Sequence, residues 1–407
     1  MDKYFCVYVG DENILEYFFN EFTYFKKFVK VILSNDVDIT TNEYNYIVFS
    51  NKSIKERYGS MDKNVMLLDE YIDLLLANSF IIPRRLRIDF STLCQLNCKT
   101  CYMRLSNNGT MGYGYLKFEN FYKLINENPE IREIETSNSG ELFLNPDLID
   151  IVKYAYEHNV ALTAYNGVNM NTVTDIQLEA LVKYKFKGLT ISIDGASNEV
   201  YEIYRQNGKF DVVLDNVKKL LYYKNKYRSQ YPIIRWQYII MQHNEKDIVK
   251  AKTIAKELGI PIEFKLTWDK DYIPNDIEML RKETGLQYFT RGEYSAKAGD
   301  VYFGHLKCMQ TFLSPQINWD GRLLGCCSLY KQDYGINVFN VGLENALRNE
   351  KYVAAKKYLL YGIIPNDQNI PCIKCNTNCK RIIAKKKIKP ISDYYCNLNK
   401  QGYIPYS

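Results

Sequence analysis

Three cysteines, Cys94, Cys98 and Cys101, fall within eight residues of one another in the run Cys-Gln-Leu-Asn-Cys-Lys-Thr-Cys-Tyr. Thiolates so spaced can hold three irons of a cubane iron–sulfur cluster and leave the fourth iron without a protein ligand, open to a small molecule. An open iron is a place for chemistry. Buried thiols and zinc are the competing readings. A lone cysteine such as Cys6 is best read as buried. The triplet, beside Gln, Asn, Lys and Thr, does not read as packing. Zinc ribbons usually pair one Cys-x2-Cys with another, whereas Cys-x3-Cys-x2-Cys is uneven and has no fourth ligand nearby. The spacing favours iron–sulfur over zinc or a disulfide.

A second group follows residue 300: Cys308, Cys326, Cys327, Cys372, Cys375, Cys379 and Cys396. Asn318-Trp-Asp-Gly321 between two apolar runs reads as a hairpin turn that presents Cys326. Seven cysteines cannot fill the eight ligand positions of two fully ligated clusters, and the Cys372-x2-Cys375 pair also suits zinc. Lys265, Gln237 and Asp320 are polar residues near the expected site, but the sequence singles out no general base.

The elements that position these residues belong to a sizeable protein. The 407 residues are 46% hydrophobic and 25% charged, enough for a barrel-sized core plus smaller domains. The start, Met-Asp-Lys-Tyr-Phe-Cys-Val-Tyr-Val-Gly, has too short an apolar run for a signal peptide, and an odd count of 11 cysteines argues against a disulfide framework. The expected setting is cytoplasmic. No stretch approaches the ~18 apolar residues of a membrane span. The charge of +6 includes a basic tail, Lys374 to Lys389, which reads as a solvated face, so no nucleic-acid contact is expected.

Periodicity assigns residues 1–80 to a small β/α (Rossmann-like) domain, with strands at Tyr4 to Val9, Val29 to Leu33 and Tyr46 to Ser50 and helices at Glu12 to Phe28 and Leu67 to Leu76. Val9-Gly10-Asp11-Glu12 lacks the spaced glycines of a nucleotide-binding turn. Strands are then expected at Leu86 to Phe90, Glu133 to Ser137, Leu162 to Tyr165, Leu189 to Ile193, Ile233 to Met241 and Ile262 to Thr267, with helices between, such as Asp147 to Glu157 and Lys246 to Leu258. The fold class is α/β: six βα units forming a partial (β/α)6 TIM-like barrel, with its ligand site at the carboxyl ends of the strands. The cysteine loop follows the first of them.

Cys94-x3-Cys98-x2-Cys101, Ser139-Gly140-Glu141 after the second strand and Ser192-Ile-Asp194-Gly195 at the fourth together resemble the radical S-adenosylmethionine (SAM) superfamily, from about Pro83 to Trp268. The stretch Ile191 to Leu220 looks like the branch with a cysteine-rich C-terminal extension. The resemblance implies a [4Fe–4S] cluster on Cys94, Cys98 and Cys101, its fourth iron chelated by the amino and carboxylate groups of SAM. Ser139, Gly140 and Glu141 then receive the methionine amino group, Ser standing where the family has a first Gly. Ser192 and Asp194, two apart and on one face, address the ribose hydroxyls or the carboxylate, and Arg205 pairs with the carboxylate. The family often has an aromatic residue just before the third cysteine. Here Thr100 holds that place, and Tyr102, just after, takes the adenine contact.

Gly321-x4-Cys326 followed by Cys372-x2-Cys375 resembles the SPASM and twitch domains, which hold auxiliary clusters. The twitch-like set is Cys308, Cys326, Cys372 and Cys375; Cys372, Cys375, Cys379 and Cys396 are the competing set. Domains are expected at 1–80, at 83–290 for the radical SAM core and at 300–407 for the SPASM/twitch-like region. The resemblance implies an electron donor such as flavodoxin or ferredoxin and a small-molecule, sugar or peptide substrate. The β/α pattern of residues 1–80 differs from a peptide-binding winged helix and tilts the expectation toward a small-molecule, sugar or lipid-linked substrate.

Overall fold

The computed structural model describes residues 4–10, 12–33, 45–50, 52–57, 65–105, 111–267, 273–298, 302, 304–329 and 331–375. Cys379, Cys396 and the basic tail beyond residue 375 lie outside them. Two compact units emerge, each drawn from separate stretches of chain. The described residues up to Arg84, His305–Ser314 and those from Glu344 onward make the first, and Arg85–Gly304 with Pro315–Leu343 the second.

In the first unit the strands are β1 (Cys6–Val9), β2 (Phe22–Thr23), β3 (Val29–Leu33), β4 (Tyr46–Phe49), β5 (Val65–Leu67) and β6 (Ile82–Pro83). Four of them form a parallel sheet in the order β3-β1-β4-β5. β1 is buried along its whole length, as an uninterrupted apolar run should be in the middle of a parallel sheet. The expected helix Glu12 to Phe28 stops at Glu21. Tyr24 adopts φ 70°, a left-handed conformation that no α-helix can continue through, and Phe22–Thr23 pairs instead with β6. The helix Glu350–Tyr361, which the sequence places in a C-terminal domain, groups with this sheet. Its Tyr352 hydroxyl donates to Thr311 O at 2.6 Å, and its buried Lys356 donates to Leu76 O at 2.6 Å and to Ser79 Oγ.

The second unit holds β7 (Arg85–Ile88), β8 (Glu133–Glu135), β9 (Ala161–Val168), β10 (Gly188–Ser192), β11 (Ile233–Ile240), β12 (Ile262–Leu266) and a hairpin of β13 (Gln316–Ile317) and β14 (Leu323–Gly325). The sheet order is β12-β11-β10-β9-β8-β7-β13-β14, so the first six strands lie side by side in chain order, all parallel. This is the α/β partial barrel that the alternation of elements implies. Helices such as Phe118–Glu127, Leu148–Glu157, Asp175–Lys183, Phe210–Lys226 and Ile248–Glu257 supply the crossovers. Asp175–Lys183 starts on a capping box in which Thr174 Oγ1 accepts from Gln177 N and Gln177 Oε1 from Thr174 N.

The two faces of this sheet differ. On β11, Ile234, Trp236, Tyr238 and Ile240 are buried, and Trp236 Nε1 donates to Ile193 O at 2.8 Å. Arg235, Gln237 and Ile239 alternate onto the other face, where Ile239 packs against Cys98 and Tyr204. A face that carries Arg and Gln on parallel strands is built to meet a ligand, because an all-apolar core needs neither. The hairpin extends the sheet beyond β7, with Gln316 opposite Arg87 and Ile317 opposite Ile88. Its turn needs Gly321, at φ 93°, because a Cβ there would stand 2.4 Å from Asn337 Oδ1.

Candidate functional site

The cysteine loop leaves the carboxyl end of β7 and is fastened to two neighbouring loops. Glu141 N donates to Leu93 O at 2.7 Å, and Asn97 N to Gln206 O at 3.0 Å. Gly140 lies flush against this loop: at φ 66°, a Cβ on it would stand 2.3 Å from Ser91 O. Within the loop a short turn closes, with Cys101 N donating to Cys98 O at 3.2 Å. The three thiols lie within electrostatic reach of one another. Cys98 is buried against Tyr204, Met241, Leu96 and Ile239. Burial pushes its thiol up, Arg205 opposing the shift. Cys94 is exposed, Cys98 buried and Cys101 between the two, and a thiol raised by burial holds its charge best on a bound cation.

Around the loop stand the residues singled out from the sequence. Glu141 is fully buried, its carboxyl pushed up to about 7 by that burial. One of its oxygens accepts from Asn169 N at 2.7 Å, and the other, Oε1, has no hydrogen-bond partner. An orphaned buried carboxylate oxygen is costly unless a ligand fills it. Ser139 Oγ shares a 2.8 Å hydrogen bond with the Tyr102 hydroxyl, which also donates to Asn138 O at 3.3 Å. Ser192 Oγ accepts from Gln237 Nε2 at 3.3 Å.

Asp194 and Arg205 bind each other. The Arg205 guanidinium reaches Asp194 Oδ2 at 2.7 Å through Nε and 2.6 Å through Nη2, and Asp194 Oδ1 accepts from Ile239 N at 2.7 Å. A third guanidinium nitrogen of Arg205 points at Cys98 Sγ, 4.0 Å away. Arg205 therefore bridges the Asp194 carboxylate, just after β10, and the cysteine loop, and both of its partners hold its pKa well above the usual arginine value despite burial.

Asn169 was not legible as a site residue. Its Nδ2 donates to Cys94 Sγ at 3.8 Å and its Oδ1 accepts from Gln95 Nε2 at 2.7 Å, so it ties Glu141 to the first cysteine. In the sequence it is one of three asparagines in Asn166 to Asn171, which read as turn residues. Of the later cysteines, Cys308, Cys372 and Cys375 fall in the first unit, and Cys326 and Cys327 in the second, directly after β14. The hairpin turn expected at Asn318–Gly321 is present, with Gly321 N donating to Asn318 O at 3.0 Å.

An α/β partial barrel with three thiols on the loop after its first strand, and a buried, half-satisfied carboxylate beside them, defines a class of cluster-dependent enzymes. Residues 88–230 match the Radical SAM superfamily. The chain is 25% identical over 179 residues to the mycofactocin maturase MftC of Mycobacterium tuberculosis, a match that spans 44% of this chain and 43% of that one. The alignment thus reaches less than half the length of this relative. SuiB of Streptococcus suis shares the fold. Its structure with S-adenosylmethionine has a TM-score of 0.52 at 15% identity over 78% of each chain. Its structure with the precursor peptide SuiA has a TM-score of 0.53 at 14% identity, over 87% of this chain and 82% of that one. The superfamily implies a [4Fe–4S] cluster and SAM. The clustered thiols, the orphaned Glu141 oxygen and the close approach at Gly140 fit that pair. Among the described residues no helix is long and apolar enough to cross a membrane.

Proposed function

We propose that this protein is a radical SAM enzyme that abstracts hydrogen from a peptide substrate, assisted by one auxiliary [4Fe–4S] cluster and reduced by a flavodoxin- or ferredoxin-like donor. The observation that carries the reading is the convergence of Cys94, Cys98 and Cys101 with Glu141 and Arg205 at the end of β7. Cys94, Cys98 and Cys101 would hold the cluster. Glu141 Oε1 would accept from the methionine ammonium, and Ser139 and Gly140 let the backbone approach it. Ser192 would accept or donate at the ribose. Tyr102, fixed by Ser139, would limit the adenine. Asp194 and Arg205, already paired, would act together, the guanidinium balancing the negative charge gathered at Cys98 and at the methionine carboxylate.

When bound, the cluster and SAM supply a one-electron reductive cleavage that yields methionine and a hydrogen-abstracting 5′-deoxyadenosyl radical. The chain's part is to orient and to keep water out, and the apolar packing of Tyr204, Met241, Leu96 and Ile239 about Cys98 serves that end. The peptide reading replaces the earlier tilt toward a small molecule. That tilt rested on residues 1–80 alone, whereas MftC is named a maturase and the SuiB structure holds a precursor peptide. The auxiliary cluster, on Cys308, Cys326, Cys372 and Cys375, rests on the sequence pattern.

Anaerobic reduction of the reconstituted protein with SAM tests the reading. Release of 5′-deoxyadenosine, abolished by Cys98→Ala, is the expected result. A colourless protein that carries zinc and leaves SAM intact would overturn it.

A further inference from the structure

Asn169 follows β9 directly, at the end of the sheet from which the loops after β7 and β8 also leave, and it is buried. A main-chain donor fixes which way its amide faces. Oδ1 accepts from Asn171 N at 2.9 Å, a group that can only donate, and from Gln95 Nε2 at 2.7 Å. Nδ2 is therefore turned to Cys94 Sγ, 3.8 Å away. Asn171 is braced in turn, donating through Nδ2 to the Tyr201 hydroxyl at 3.1 Å and accepting at Oδ1 from Lys209 N at 2.7 Å. The amide thus reaches the first cysteine from a pinned framework.

A second amide meets the same sulfur, but that contact suits only the protonated thiol. Gln95 Oε1 lies 4.0 Å from Cys94 Sγ and is an acceptor, matched to an S–H donor. A cysteine that ligates iron is a thiolate with no proton to give. The Asn169 N–H is the group placed to donate to it. Hydrogen bonds to ligand sulfurs set cluster potentials, because they favour the more negative, reduced form. The main-chain N–H of Asn169 meanwhile holds Glu141 Oε2 at 2.7 Å, so one residue touches both the cysteine loop and the carboxylate assigned to the methionine ammonium.

We infer that Asn169 is a positioning residue that tunes the reduction potential of the cluster, its side-chain N–H on the Cys94 sulfur stabilising the reduced form. The inference rests on the radical SAM reading and adds to it a residue that controls how readily the cluster takes up its electron. One electron enters the cluster from the reductant, the added charge spreads onto the ligand sulfurs, and the Asn169 proton stays on nitrogen.

An EPR-monitored redox titration of the reconstituted protein tests it, read on the signal that disappears when Cys94, Cys98 and Cys101 are replaced by alanine. Asn169→Leu removes the donor; Asn169→Asp also removes it but keeps an acceptor for Asn171 and Gln95. The midpoint is expected to fall by about 59 mV in Asn169→Leu, a tenfold loss of preference for the reduced cluster. It should fall at least as far in Asn169→Asp, which sets a negative charge beside the sulfur, with iron content kept. A wild-type midpoint in either variant that holds its iron overturns the inference. Loss of iron from both variants overturns it as well, by making Asn169 a structural brace, and so does a loss of SAM affinity with the midpoint unmoved, which would assign Asn169 to Glu141 alone. A wild type without iron sinks the radical SAM reading and the inference with it, whereas iron with an unmoved midpoint sinks the inference alone.

Discussion

At the scale of the residue, the site depends on groups whose neighbours leave them little freedom. Arg205 and Asp194 form a buried pair in which removing one charge strands the other. Asp194→Asn is expected to cost about 3 kcal/mol in urea unfolding and to weaken SAM binding, measured by equilibrium dialysis; an unchanged midpoint would contradict the pairing. Gly140→Ala meets both a left-handed φ and the Ser91 carbonyl. It should cost about 2 kcal/mol or more and abolish SAM binding, while iron content, set by the cysteines, persists. The cysteine triplet stands out in the sequence because its spacing is itself what a cluster would need. Asn169 does not, because an asparagine in a polar loop looks the same whether it holds a turn or a thiol. The pairing of Arg205 with Asp194 was hidden for a related reason: the sequence shows that both are present and suggests a ligand for each, but only the fold shows that they face each other first.

At the scale of the element, the regular parts of the chain were readable and the breaks were not. The six barrel strands were found to within a few residues, since apolar runs separated by amphipathic helices determine them. The helix expected to run on to Phe28 failed because hydrophobic period cannot register one residue in left-handed backbone at Tyr24. Lys356 shows the same limit. On a helix, a lysine reads as solvated, yet this one is buried over the end of the helix Leu68–Ala77 and donates to Leu76 O. Burial lowers its pKa to about 7, whereas an unfolded lysine titrates near ~10.4. Between those values the unfolded chain holds a proton that the folded chain lacks, so stability rises with pH across that window and the charged-form penalty is complete below it. The expected outcome is a melting temperature that climbs from pH 7 to pH 10, relative to a Lys356→Met variant in which this contribution is absent. Parallel pH profiles for the two proteins would refute the assignment.

At the scale of the whole molecule, the sequence orders domains along the chain, while the structure draws its two units from interleaved stretches. The helix Glu350–Tyr361 joins the N-terminal sheet, and the hairpin β13–β14 joins the barrel sheet. Local pattern could not show this, because what joins them is long-range: Tyr352 to Thr311 and Lys356 to Leu76 in one unit, and Gln316 beside Arg87 in the other. The central claim, that the loop after β7 carries a catalytic cluster, concerns the chain as a whole because the later cysteines also take iron on this account. Anaerobic quantitation of iron and sulfide tests it most directly, on the reconstituted protein and on a variant with Cys94, Cys98 and Cys101 all replaced by alanine. The account expects about eight irons and eight sulfides per chain, falling to about four of each in the variant. Iron that is absent from the wild type, or unchanged by the triple replacement, would contradict it.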